Sequence, residues 1–218
     1  MGTVKTVITE DAIYTGKAII LATGRKPIPL NLESNCEHIH YCSVCDGSAY
    51  AGKKVLVVGG GESGFQESSY LLSLGVSEVV IVEALENCCA SDSAQDKLRS
   101  RNNVSIRTST GVTGIVEDSN GCHVTLDNSK RQVKDMVCVD GIFVFIGQRP
   151  NTHMFRDIIH LDNNGYILVG SDMGTNAPGV FAAGDVVQKK FRYLTTAMAD
   201  GTIAALASTK FINENFPK

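Results

Sequence analysis

The sequence predicts an α/β fold whose organising unit sits in the middle of the chain. Three observations predict it. The stretch "KKVLVVGGGESGFQESSYLLSLGVSEVVIVE", residues 53–83, reads as strand, glycine turn, helix and second strand. The segments "VSIRT", "GVTGIVED", "CHVTLD" and "KRQVKDMVCV" follow it as short strands with turns at Asn120-Gly121 and Asp127-Asn128, the pattern of a β-meander. On either side lie segments that are each incomplete alone.

The opening segments "TVKTVIT" and "AIYTGKAIILATG" carry β-branched and alternating apolar residues, and Gly24 ends them. "RKPIPL" follows, and its prolines Pro27 and Pro29 exclude helix and predict a crossover linker. After the central unit, "AQDKLRSR" predicts a short charged helix and "DGIFVFIGQRPN" a buried strand. "GYILVG" and "GVFAAGDV" read as further strands, and a closing helix is expected over about residues 195–211.

Composition narrows the function classes. The chain has 218 residues, 43% hydrophobic and 20% charged, which predicts a soluble globular protein. A formal charge of −3 without a basic stripe points away from nucleic acid. The longest apolar runs, "AIILA" and "GIFVFIG", are too short to span a bilayer, and no secretory leader opens the chain, so no membrane partner and a cytoplasmic location are expected. "MGTVKT" matches a myristoylation pattern at Gly2, for which a plain chain start is the simpler reading.

Gly59, Gly61 and Gly64 form G-x-G-x-x-G directly after the strand 55–58 and before a helix, a Rossmann-like fingerprint. With Glu62 and Ser63 in the same turn, they are candidates to cradle a dinucleotide pyrophosphate at the helix N-terminus. A glycine turn in a nucleotide-free sheet is the alternative. Glu83 ends the second strand, where an acidic side chain accepts from ribose hydroxyls and repels a 2′-phosphate, so NADH is preferred over NADPH. An exposed surface glutamate would read the same.

The chain has seven cysteines, not spaced as a disulfide scaffold. In "YCSVCDGSAY", Cys42 and Cys45 are followed by Asp46. Zinc would need a second pair, and the adjacent Cys88 and Cys89 suit one tetrahedron poorly. Two packed structural cysteines remain possible. A redox dithiol fits best, because this spacing at a helix start lowers thiol pKa and Asp46 stands where it can move protons. Cys138 is expected to be buried in an apolar strand, and His38 and His40 to be polar loop residues. The five histidines show no ligand spacing, and no metal site is expected.

A dithiol just ahead of a dinucleotide fingerprint resembles the low-molecular-weight thioredoxin reductases, close to the flavoprotein subunits of alkyl hydroperoxide reductase. The landmarks run in order through nearly the whole chain: "AIILATG", "YCSVCDG", "VLVVGGGESG", "GIFVFIGQRPNT", "GVFAAGDV" and "TTAMADGTIAA". The resemblance implies a three-layer pyridine-nucleotide-binding domain, 27–147, carrying the CxxC and inserted in a partial FAD-binding domain, 1–26 and 148–218. It implies that electrons pass from NADPH through FAD to the Cys42–Cys45 disulfide and on to thioredoxin, with Asp46 as acid/base. Gly147, Gly184, Asp185, Arg192, Tyr193, Leu194 and Thr195 become flavin-side candidates, and a homodimer is expected, with sheet edges left unpaired as a further reason for self-association.

Three departures qualify this. The family carries an FAD-binding G-x-G-x-x-G unit well ahead of the CxxC, whereas 41 residues precede Cys42 here, which suggests a truncated form. Where the family has the arginines that hold a 2′-phosphate, this chain reads Glu83-Ala84-Leu85, which argues against NADPH. Some family members take electrons from another donor, such as ferredoxin, and such a donor is the alternative here. The usual Arg-Gln before the last helix is Arg192-Tyr193, where the tyrosine would stack on the flavin or obstruct its site. The alternative function is a non-catalytic nucleotide- or partner-binding domain without FAD.

Overall fold

A computed structural model describes residues 3–34 and 36–217; Gly2, the myristoylation candidate, lies outside them. The chain forms two compact units, Pro27–Gly147 and the combination of Met1–Lys26 with Gln148–Lys218.

The unit Pro27–Gly147 is built on a five-stranded parallel sheet. Its order is Ile39–His40, Gly141–Val144, Lys54–Val58, Glu78–Val82, Val104–Arg107. The central strands read as unbroken apolar runs because both of their faces are covered. Alternation sends Val55, Val57, Val79, Ile81 and Phe143 to one side, where they pack with Phe65, Leu71 and Leu98 of the helices Glu62–Ser73 and Asp92–Arg99. It sends Leu56, Val58, Val80, Val82, Ile142 and Val144 to the other, against Ile115, Val124, Leu126 and Val137. Those four belong to an antiparallel meander of Thr110–Asp118, Gly121–Asn128 and Val133–Val139. Helices, sheet and meander make three layers.

The structure corrects three expectations in this unit and one at its boundary. "VSIRT" is an edge strand of the parallel sheet: it pairs with Glu78–Val82, and Val104 and Ile106 pack on the helix side of the sheet rather than against the meander. The turn expected at Asp127-Asn128 falls later, because the strand runs to Asn128 and Gln132 takes the left-handed conformation with φ 53°. Cys138 is exposed while Cys122 is buried, as strand alternation places Val137 and Val139 inward and Cys138 outward. "RKPIPL" is not wholly a linker: Arg25–Pro27 pairs with Gln148–Pro150 as a short two-stranded ribbon.

In the other unit, Lys5–Ile8 and Ile13–Gly16 form an antiparallel hairpin, and Ile19–Leu21 pairs in parallel with Val180–Ala182. "GYILVG" forms no strand and contributes only isolated bridges through Ile167. The closing helix spans Leu194–Asn215, longer than predicted, and packs Ala204 and Phe211 against Phe181 and Ala183.

Candidate functional site

The strand Ile39–His40 leads into Cys42, which adopts an extended conformation and caps the single helical turn Ser43–Asp46. One turn brings Cys42 and Cys45 to a Cα–Cα distance of 5.4 Å, within the range a disulfide spans, and the two are bonded. The helix is only four residues long, so a helix dipole contributes little here, contrary to the sequence expectation. What the local structure supplies is a sulfur-directed hydrogen bond: the Cys45 N–H donates to Cys42 Sγ at 3.2 Å. Gly47 follows, and a Cβ there would press on Leu71 and Leu74 at 2.9 Å. Glycine therefore lets the disulfide turn dock on the helix Glu62–Ser73. Cys45 and Val44 are exposed, Val44 at 72%, so an apolar tip stands between the two sulfur-bearing residues.

Asp46 is half-buried, with Oδ2 3.3 Å from His40 Nδ1. His38 and His40, read from the sequence as loop residues, both contact the hydroxyl of Tyr50. Sequence reasoning passed over this group; the available signal was the His-x-His spacing, which puts two side chains on one side of an extended strand.

Each glycine of the fingerprint meets a separate demand. Gly59 has φ 121°, and a Cβ would strike the Phe145 carbonyl. Gly64 comes so close to the Gly59 carbonyl oxygen that no side chain fits between them. Gly61, by contrast, faces open space, with no atom within 4 Å of a Cβ. That is the arrangement a pyrophosphate needs: a tight turn, an open approach to backbone N–H groups and close helix–strand packing. The residues fit a dinucleotide.

The acidic residues are bound to the protein's own backbone. Glu83 Oε2 accepts from the Gly60 N–H at 2.6 Å and Oε1 from the Leu85 N–H at 2.8 Å. A ribose at Glu83 would share oxygens already in use, through their remaining lone pairs. Glu62 turns to the following loop and accepts from the Ser91 N–H at 2.9 Å, which with Gln66 and the Ser91 hydroxyl holds its carboxyl below the usual range. Ser63 is exposed in the first helical turn. Cys88 packs against Gly60, where burial and then the charge of Glu83 push its thiol up.

An open cavity of about 680 Å³ lies where the Val104–Arg107 strand meets the meander, lined in part by Arg107, Lys130, Arg131 and Lys134. Arg107 is paired with Asp135 and Lys130 with Glu86. Among the sulfurs, Cys36 Sγ lies 3.0 Å from Cys122 Sγ, with Glu117 beside them. Burial and the Cys36 thiol push Cys122 up.

The flavin-side candidates lie mostly in the other unit. Gly184 has φ 82°, and its N–H donates to Asp200 Oδ2, which also pairs with Lys189 at 2.6 Å. Asp185 is ion-paired with Arg25 at 3.0 Å. The Arg192 guanidinium stacks 4.0 Å above the Tyr166 ring. Its Nε, like that of Arg25, is buried without a partner, as donors awaiting a polar group are. Tyr193, Leu194 and Thr195 are exposed at the start of the last helix, where the first N–H groups have no intrahelical acceptor. These residues fit a polar, partly anionic cofactor. Gly147, with φ 113°, belongs to the unit Pro27–Gly147.

A closed CxxC on one turn, docked on the helix that opens at a Rossmann-like glycine turn, is the arrangement of a disulfide oxidoreductase. Residues 2–201 match the family described as pyridine nucleotide-disulphide oxidoreductase, and the chain belongs to it. Its relatives are those of the low-molecular-weight thioredoxin reductases, oxidoreductases that depend on FAD and a pyridine nucleotide. It is 41% identical to a 34.2 kDa protein of the rubredoxin operon of Clostridium pasteurianum, over 95% of this chain and 68% of that protein. It is 35% identical to the thioredoxin reductase of Peptoclostridium acidaminophilum, over 99% of this chain and 71% of that one. The crystal structure of Lactococcus lactis thioredoxin reductase superposes with a TM-score of 0.83 at 33% identity, covering 98% of this chain and 72% of the other.

Proposed function

We propose that the chain is the disulfide-carrying part of a thioredoxin reductase-like enzyme, in which Cys42–Cys45 accepts two electrons and passes them to a thioredoxin-like protein. The observation that carries this is the closed Cys42–Cys45 pair on an exposed turn, fixed through Gly47 to the nucleotide helix. Reduction consumes two electrons and two protons and yields two thiols; a partner disulfide then takes the electrons through a mixed disulfide. The exposed Val44 gives a protein partner an apolar contact between the sulfur-bearing residues. Asp46 holds or gives up the proton of the departing sulfur.

Gly59, Gly61, Gly64 and the N-terminal turn with Glu62 and Ser63 hold the pyrophosphate of a pyridine nucleotide, and Glu83 sets the preference for NADH. Gly184, Asp185, Arg192 and the helix start Tyr193–Thr195 hold FAD in the other unit. Bound FAD supplies a two-electron carrier between the reduced donor and the disulfide. Exposed apolar residues such as Leu194 and Met198, at 77% and 64%, favour self-association, with a homodimer expected.

The test is an absorbance spectrum between 300 and 550 nm, with thiols counted before and after NADH or NADPH. A flavin band with two new thiols on NADH supports the whole reading. A chain that binds NADH but gains no thiols reduces it to a nucleotide-binding unit. A disulfide that responds to neither nucleotide but opens with reduced ferredoxin moves the donor assignment to an iron–sulfur protein.

A further inference from the structure

Behind the disulfide turn, five side chains form an unbroken line with a carboxylate at each end. Asp46 Oδ2 lies 3.3 Å from His40 Nδ1. His40 Nε2 lies 2.6 Å from the Tyr50 hydroxyl, and that hydroxyl lies 3.3 Å from His38 Nδ1. His38 Nε2 then lies 3.3 Å from Glu117 Oε1. Both histidines are engaged through both ring nitrogens.

The line is built in rather than incidental. His38 and His40 project to the same side of the chain at the edge strand, with Ile39 packed into the core between sheet and meander. Tyr50 is 4% exposed and stacks edge-on against Phe143 with ring centroids 5.3 Å apart. Its ring occupies the space a side chain at Gly141 would need. Both ends of the line reach solvent: the side chain of His38 is 48% exposed, that of Glu117 25% and that of Asp46 41%, while that of His40 between them is only 18% exposed.

Counting hydrogens gives the line its property. It has four contacts, and each needs one hydrogen to be attractive. Two neutral histidines and one tyrosine supply three, and two ionised carboxylates supply none. One contact would then set a bare nitrogen against an oxygen lone pair. A single added proton satisfies all four, with the surplus on the ring or the carboxyl at the Glu117 end or at the Asp46 end. Moving the hydrogens on either side of Tyr50 carries an imidazolium from one end to the other. The tyrosine suits this role, since burial, aided by nearby acidic groups, pushes its hydroxyl up to about 12, so it passes a proton on without ending as phenolate.

We propose that His40, Tyr50 and His38 form a proton relay between solvent at Glu117 and Asp46 beside the Cys42–Cys45 disulfide. This rests on the reading of that disulfide as redox-active. When an external dithiol opens the disulfide, two electrons move from the dithiol, which closes to its own disulfide and releases two protons. The two Cys sulfurs take up two protons. One reaches the departing thiolate from Asp46, which is replenished through the relay; the other comes directly from solvent at the exposed turn. Cys36, Cys122, Asp46 and Asp140 also face Tyr50, and Lys53 Nζ sits 5.2 Å from its ring centroid. Asp140 is held by the Lys54 N–H and Glu117 Oε2 by the Glu37 N–H.

The test uses the intact chain with Tyr50→Phe, which removes one oxygen from a retained ring, and His40→Asn at the Asp46 end. The rate at which dithiothreitol opens Cys42–Cys45 is followed against pH, with and without added imidazole. Both variants are expected to slow opening by about tenfold or more, the lower end of general-acid contributions, and imidazole to restore the rate. Ring ¹⁵N spectra of His38 and His40 supply a second readout: the signals of the nitrogens that face the tyrosine hydroxyl, His40 Nε2 and His38 Nδ1, shift in Tyr50→Phe. Opening indifferent to both substitutions, or ring spectra unchanged by Tyr50→Phe, overturns the relay while leaving the redox pair intact. A wild-type disulfide that dithiothreitol does not open overturns the redox reading, and the relay's role with it.

Discussion

Two alanine substitutions three residues apart separate what the glycine turn does for the fold from what it does for a ligand. In Gly64→Ala the new methyl meets the Gly59 carbonyl, which is backbone and cannot rotate away. Gly59 is itself held by its N–H bond to Val82 at 2.9 Å and by the nearness of Phe145. Relief must come from a shift of the helix start. Overpacking of this kind costs about 1–3 kcal/mol, and the better helix propensity of alanine returns about 1 kcal/mol. So short an approach to backbone puts the cost at the upper end of that range, and the net loss of about 2 kcal/mol lowers Tm by about 5 °C. In Gly61→Ala the methyl enters open space at φ −85°, ψ 179°, which alanine adopts freely. Alanine is a poorer cap than glycine, but it also stiffens the unfolded chain, and the two effects roughly cancel. Tm should stay within about 1 °C, while NADH affinity falls about tenfold, or 1.4 kcal/mol, because the methyl occupies the approach of the pyrophosphate. Thermal melts and NADH titration of both variants decide it. Equal melting losses, or wild-type affinity in Gly61→Ala, would refute the reasoning.

Three further outcomes are expected. Glu83→Gln replaces one of two accepting oxygens with an NH₂ facing a backbone N–H, so stability should fall by about 1–3 kcal/mol; an unchanged urea midpoint contradicts this. Cys122 and Tyr50 both ionise less readily folded than unfolded, so their contribution is complete below the unfolded values and fades above them. Denaturant stability should therefore decline from about pH 9 upward, by at most about 1.4 kcal/mol per pH unit for each ionising group, and a flat profile between pH 8.5 and 11 would count against it. Thiol titration of the oxidised, denatured chain should find the five free cysteines, Cys36, Cys88, Cys89, Cys122 and Cys138, with two more appearing after reduction. A count of three would show that Cys36 and Cys122 are also joined.

The unit Pro27–Gly147 was legible because its signals are local and agree with one another. The apolar run of Val55–Val58, the glycines after it and the helix carrying Phe65 and Leu71 each predict the same strand–turn–helix passage, and the parallel sheet with its meander follows. The strand Val104–Arg107 was misassigned for the complementary reason. Four residues of mixed polarity fit a meander or a parallel edge equally well, and only pairing with Glu78–Val82 decides between them. Cys138 was misplaced because a one-residue difference in register exchanges the buried and exposed faces of a strand.

The sequence by itself determined that Cys42 and Cys45 can close a disulfide, since one helical turn between them sets a Cα separation that a disulfide spans. It also determined the glycine cradle, because turn, approach and packing are demands on single backbone positions. Only the tertiary structure decided how Glu83 spends its carboxylate, bonding Gly60 across 23 positions of sequence. It alone assembled Asp46, His40, Tyr50, His38 and Glu117, which join a strand, two short turns and the meander. Local backbone geometry is written in neighbouring residues, whereas the partners of a polar side chain depend on which surfaces the packed core brings together.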